Sequence, residues 1–185
     1  AIMMRRFGAT TDKPAFGAEA DVPEAKAQGI MTLKMPTAQG FAPGQTPDAA
    51  PGLKVNAFAT GLDHPRWMEV MPNGDVLVAE AMSTPGGIRT PFDYAIVATM
   101  KRAKATGVSA NRITRLSDSD GDGVAEVSEV FLTGLNQPFG MALKDTTFYV
   151  GNTDGIVTYA YDPATGQVSG DGKKITDFKP NGHWT

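Results

Sequence analysis

The sequence predicts an all-β fold of the β-propeller type, with about two blades, an extended N-terminal segment and one helical insertion. Three observations carry this. Short runs rich in Val, Ile, Phe, Tyr and Thr alternate with turn residues from Val55 onward. A segment at Thr60 recurs at Thr133, and its continuation begins a third time at the end of the chain. The composition suits a packed protein: of 185 residues, 41% are hydrophobic and 20% charged. A net charge of -3 and a pI near 5.3 argue against a nucleic-acid-binding protein, which would normally show a basic domain or stripe. No apolar run approaches the length of a transmembrane helix. With no cysteine, a disulfide scaffold, a thiolate metal site and a cysteine nucleophile are all excluded, and the composition fits an oxidising compartment.

Residues 1–51 read as an extended wrap or linker. Pro14, Pro23, Pro36, Pro43, Pro47 and Pro51 alternate there with glycines, and neither long helices nor central strands tolerate that pattern. Only residues 30–35 (IMTLKM) have strand character. The order of AIMMRR, apolar before basic, is the reverse of a secretory signal, so no intact signal peptide is read. A processed N-terminus is one explanation of the missing initiator methionine and a cloning boundary is another.

Residues 52–185 read as partial propeller. Residues 76–79 follow Pro72-Asn73-Gly74-Asp75, where Asn-Gly supplies the positive φ of a tight hairpin. Thr60-Gly61-Leu62-Asp63-His64-Pro65 is echoed by Thr133-Gly134-Leu135-Asn136-Gln137-Pro138, 73 residues later. Residues 81–110 look inserted, with a helix over 92–105 whose Lys101, Arg102 and Lys104 suit its C-terminal dipole. Without the insertion the period falls to about 43 residues, the length of a four-stranded blade. The first blade therefore starts near 55–80 and the second spans about 133–180. A third begins at 181, where His183-Trp184 stands 44 residues after Phe139-Gly140. Strands are expected at 111–116, 127–132, 147–151 and 156–161, with turns at Gly151-Asn152, Asp154-Gly155 and 162–166.

Asp118-Ser119-Asp120-Gly121-Asp122-Gly123, continuing to Glu129, matches the calcium-loop pattern D-x-D-x-D-G-x5-E. Asp118, Asp120 and Asp122 would ligate Ca2+ with the Val124 carbonyl, and Glu129 would close the shell. The flanks have strand rather than helix character, so the loop is no EF-hand. It is either a structural calcium site pinning a hairpin or a solvated acidic turn.

Four blocks, residues 61–80 (GLDHPRWMEVMPNGDVLVAE), 111–143, 148–155 (FYVGNTDG) and 174–185 (KITDF to GHWT), together resemble the sorbosone dehydrogenase family. That family is related to the soluble quinoprotein glucose and aldose-sugar dehydrogenases. The resemblance covers residues 52–185. It implies a six-bladed β-propeller in the periplasm, with pyrroloquinoline quinone (PQQ) at the central channel. It also implies oxidation of a sugar or aldehyde, with electrons passing on to a quinone or cytochrome acceptor. In the related glucose dehydrogenases a histidine opening a blade's inner strand acts as general base, and His183 matches that position. Asn136 and Gln137 match the region lining the quinone pocket. Arg66, at the same phase of the repeat, would meet a cofactor carboxylate. His64 reads as a structural histidine, and Trp67 and Trp184 as packing between blades. The length departs from the family: two blades cannot close a ring, so the remaining blades come from further sequence or from another chain. The acidic loop is distinct from the calcium beside the quinone in those relatives. A non-catalytic propeller that binds or scaffolds a larger complex is the rival reading. A lactonase-like propeller ranks last, because the repeat starts carry mainly amide, Arg and His groups.

Overall fold

The computed structural model describes residues 40–84 and 90–179. Residues 30–35, His183 and Trp184 lie outside that range. Among the described residues, eight strands and one helix follow in chain order: β1 (Pro65–Val70), β2 (Val76–Glu80), α1 (Pro91–Arg102), β3 (Arg112–Ser117), β4 (Val127–Leu132), β5 (Gly140–Lys144), β6 (Thr147–Asn152), β7 (Gly155–Asp162) and β8 (Gln167–Asp177). They form two four-stranded antiparallel sheets, each ordered as in the sequence, β1-β2-β3-β4 and β5-β6-β7-β8. The protein is thus mostly β, and the insertion carrying α1 lies between β2 and β3 of the first sheet. Described residues before Pro65 carry no helix or strand. No helix among the described residues is long and apolar enough to cross a membrane.

The helix begins one residue before its expected start, because Thr90 and Asp93 form a reciprocal capping box and Pro91 fills the first turn. It stops at Arg102, short of the expected Ala105. Lys101 and Arg102 occupy its last turn and none of its residues is buried. Gly151 and Asn152, expected in a turn, are the last two residues of β6; the turn falls on Thr153-Asp154. β8 is the element that composition signals least, since Gly170 and Gly172 interrupt it. Packing requires that interruption: a Cβ at Gly172 would lie 2.6 Å from Val157 and 2.7 Å from Tyr159.

The repeat in sequence is a repeat in backbone. Gly61 and Gly134 have φ of 76° and 69°, and His64 and Gln137, at matching positions, have φ of 53° and 48°. The amide of Asp63 donates to the Glu80 carboxylate at the end of β2, and that of Asn136 donates to Asn152 Oδ1 (3.3 Å) at the end of β6. Each copy therefore closes its first turn on a polar side chain at the end of its second strand.

Pairing places Trp67, Ala79 and Ile113 on one face of the first sheet, with Glu69, Leu77 and Arg115. Leu77, Ala79 and Ile113 from this face join Met141, Phe148, Val150 and Tyr161 of the second sheet in one core cluster. Phe131 meets Phe148 edge-on, with ring centroids 5.8 Å apart. These strands are too short to persist alone, so burial between the sheets holds both. Phe148→Ala empties the centre of this layer and is expected to cost about 3–5 kcal/mol, read as a lowered urea midpoint at unchanged slope. A loss below about 1 kcal/mol would mean the two sheets do not share this core.

Candidate functional site

The polar residues singled out by the repeat gather where β2 and β6 end. Arg66 donates from Nε to the Ala81 carbonyl (2.9 Å) and from Nη2 to Ser83 Oγ (3.3 Å). Gln137 donates from Nε2 to Thr84 Oγ1 (2.8 Å). Arg66 and Gln137 thus attach to the same four-residue stretch, 81–84. Thr106 and Ser109 hold this stretch from the far end of the insertion, through the Ser83 carbonyl (2.5 Å) and the Met82 amide (3.0 Å). Asn111, at φ 51°, accepts from Ser109 Oγ (2.7 Å) and from the Gln137 amide (2.9 Å), so one side chain joins the insertion to the second repeat.

Asn136 turns the other way. Its carbonyl accepts from the Thr153 amide (3.1 Å) and hydroxyl (3.3 Å), and in the same turn Asp154 pairs with Lys174 at 2.9 Å. The hydrogen bond from Lys174, above all, holds the Asp154 carboxyl below its ordinary range. His64 contributes its carbonyl to the Ala81 amide (3.2 Å), as a structural residue would. Trp67 packs on Phe139 at 6.0 Å, bridging the two sheets as expected of it. The structure therefore brings Arg66 and Gln137 together, sets Asn136 aside on the β6–β7 turn, and does not describe His183.

Sequence reading missed the group at the centre of this end. Glu80 is fully buried and accepts both prongs of Arg112, Nε and Nη2, each at 2.9 Å. Thr114 Oγ1 and the Asp63 amide complete its shell. A glutamate ending an apolar strand, VLVAE, is the signal that could have exposed it, since a charge there needs partners. Burial pushes the Glu80 carboxyl up, but the bonds from Arg112, Thr114 and Asp63 outweigh it and hold the group below the ordinary carboxylate range. The Arg112 guanidinium is raised in return, chiefly by its bonds to Glu80.

The acidic loop sits between β3 and β4. Asp118 accepts from the amides of Gly121 (2.7 Å) and Gly123 (2.9 Å), Asp120 from Asp122 (3.1 Å), and Asp122 from Val124 (2.8 Å). The glycine turn reads as expected, with Gly121 and Gly123 at φ of 74° and 89°. Glu129 does not close the loop. It lies on β4, where its carboxylate pairs with Arg115 at 2.7 Å, because strand pairing sets Arg115 directly opposite. Glu126 takes its place: carboxylate oxygens of Asp118, Asp120, Asp122 and Glu126 lie within 4.8 Å of one another. Oxygens at that spacing can share one ion at the roughly 2.3–2.6 Å that calcium prefers. The preceding segment braces the loop, through the Ala125 amide on Phe58 (2.8 Å) and Asn56 on the Asp122 carbonyl (3.3 Å).

Because Glu80 is depressed in the folded state, its contribution to stability is complete above the unfolded carboxylate value near 4.3 and is lost as pH falls through the folded value. Unfolding free energy should therefore decline from about pH 4 downward, and Glu80→Gln should flatten that decline. The same substitution should cost about 3 kcal/mol at neutral pH, since Arg112 loses its partner. An unchanged acid limb would mean another group controls it.

No curated protein and no solved structure matches the chain. A family described as "Domain of unknown function (DUF7133)" matches residues 48–179. That stretch takes in every strand and the helix of the described residues, and well over half of the 185 residues. The chain belongs to the DUF7133 family.

Proposed function

We propose that the two sheets are successive blades of a β-propeller, and that the chain is part of a periplasmic quinoprotein dehydrogenase of the sorbosone type. The substrate class is a sugar or an aldehyde, and electrons pass on to a quinone or cytochrome. The observation that carries this reading is the convergence of Arg66 and Gln137, each just beyond a repeated T-G-L segment, on the stretch 81–84. Arg66 is exposed, and its Nη1 has no partner among the described residues. That leaves a cationic donor for one carboxylate of an acidic planar cofactor such as PQQ. Gln137 would line the same surface, and Asn136 would buttress it through the β6–β7 turn. The bound quinone supplies a hydride acceptor. His183, matched by resemblance alone, would take the substrate's hydroxyl proton, a role that suits a group titrating near neutrality.

A second reading has its own observation in favour. Arg66 Nε and Nη2, Gln137 Nε2 and the Asn136 carbonyl all brace connections within the chain. A non-catalytic propeller module that scaffolds a larger complex needs only that bracing, and a fold of this kind does not choose between the two.

The protein with all its blades, supplied with PQQ, decides between them. Dye reduction with aldoses or sorbosone is expected, falling about 10²–10⁴-fold in His183→Ala. Arg66→Ala should raise the PQQ concentration needed for half-maximal rate. No quinone absorbance and no dye reduction at saturating PQQ would leave the scaffold reading.

The acidic loop is proposed as a structural calcium site held by Asp118, Asp120, Asp122 and Glu126. Calcium should then raise the melting temperature and chelator lower it, with about 2.7 kcal/mol gained at a hundredfold excess over Kd. Asp118→Asn should abolish the shift. Identical melting with calcium and with chelator would remove the site.

A further inference from the structure

The insertion between β2 and β3 is fixed at its base and bare along its helix. Thr106 is buried and bonds the Ser83 carbonyl, and Ser109 takes the Met82 amide, so the two ends of the insertion are held together. α1 gives no side chain to the core. Its half-buried apolar positions, Ile96, Val97 and Met100, lie within one turn of each other on one side. The other side is exposed. It runs from Tyr94 through Ala98 to Lys101 and Arg102, the i, i+4, i+7 and i+8 positions of a single stripe, with Phe92 beside it in the first turn.

That outer side joins two chemistries. Phe92 is 63% and Tyr94 67% exposed, and Val108, on the return from the helix, is 90% exposed. Large apolar side chains gathered in water mark a surface that meets something. Lys101, Arg102 and Lys104 follow within four residues, and among the described residues none of the three is in an ion pair. The helix dipole accounts for cations in the last turn. Lys104 stands beyond the cap, at φ 54°. Asp93, the N-terminal capping residue, is the one acidic residue between Thr90 and Asn111, whereas the whole chain carries a net charge of -3. An acidic protein therefore bears a short basic segment next to exposed aromatic rings.

We propose that the outer side of α1 seats this protein on an anionic lipid surface. Lys101, Arg102 and Lys104 meet the headgroups, and Phe92 and Tyr94 enter the boundary beneath them. The occupant is argued from charge complementarity, which calls for a polyanion, and from the rings beside the charges, which call for an apolar layer under that polyanion. A lipid surface offers both across a flat face. The attachment is peripheral, since the helix has 12 residues and is not long enough to cross a membrane. The inference rests on the insertion alone and is independent of any dehydrogenase activity.

The test is sedimentation of the full chain with vesicles of phosphatidylcholine, alone or with about 30% phosphatidylglycerol, in about 50 mM and about 500 mM salt. Pelleting is expected with the anionic vesicles at low salt only. Lys101→Gln, Arg102→Gln and Lys104→Gln together should lower the partition coefficient about a hundredfold, each cation near such a surface being worth about fivefold. Phe92→Ser with Tyr94→Ser should lower it about tenfold. All five side chains are exposed, so both variants should keep the wild-type circular dichroism melt. Wild-type chain left in the supernatant by anionic vesicles would overturn the proposal, as would pelleting that either variant retains in full. Binding to soluble polyglutamate without pelleting would overturn it too, and would assign the segment to an acidic protein instead.

Discussion

Everything described in this chain depends on one apolar layer, where Leu77, Ala79 and Ile113 of the first sheet meet Met141, Phe148 and Val150 of the second. Most strands are five or six residues long, below what a lone hairpin needs to persist in water. Each sheet is thus stable only as the other's cover. The layer also fixes the relation between the two repeats, so that their polar turns emerge at one end. Glycine lets β7 and β8 pair closely within the second sheet at two points. Gly155 approaches the Thr176 carbonyl so closely that a Cβ would lie 2.2 Å from it, and Gly172 clears Val157 and Tyr159.

Above that layer, a second constraint organises the polar end. Glu80 carries its charge into the interior and is held there by Arg112, Thr114 and the Asp63 backbone. A buried pair of this kind adds little net stability over an apolar equivalent, yet breaking it is costly. What it does is local. It ties the residues before β1 to the end of β2 and the start of β3, on either side of the insertion. Arg66, Asn111 and Gln137 then continue the network across to the second repeat. The candidate surface is consequently made from connections whose geometry is enforced by hydrogen bonds, on top of sheets whose geometry is enforced by packing.

The acidic loop shows how closely a spacing rule can approach a structure and where it stops. The aspartates and glycines of D-x-D-x-D-G act locally: Asp118 and Asp122 accept from amides two to five residues away, and these bonds fold the turn. The closing carboxylate is not a local matter. In a helical flank the twelfth position would swing back over the loop. In a strand flank, pairing sets Glu129 opposite Arg115, and Glu126 falls nearest the aspartates.

The sequence by itself determined the strand and turn alternation, the duplicated T-G-L segment, the site of the insertion and the presence of a helix within it. Each of these is written in contacts within a few residues, or in a repetition that can be counted. Tertiary structure alone decided that Arg66 and Gln137 bond one stretch while Asn136 faces another turn. It also decided that Glu80 is the buried centre of the polar end, and that Gly170 and Gly172 interrupt β8 without ending it. Such outcomes follow from which strand lies opposite which and from what space remains between sheets. Register and inter-sheet packing are set by residues far apart along the chain, and no local pattern encodes them.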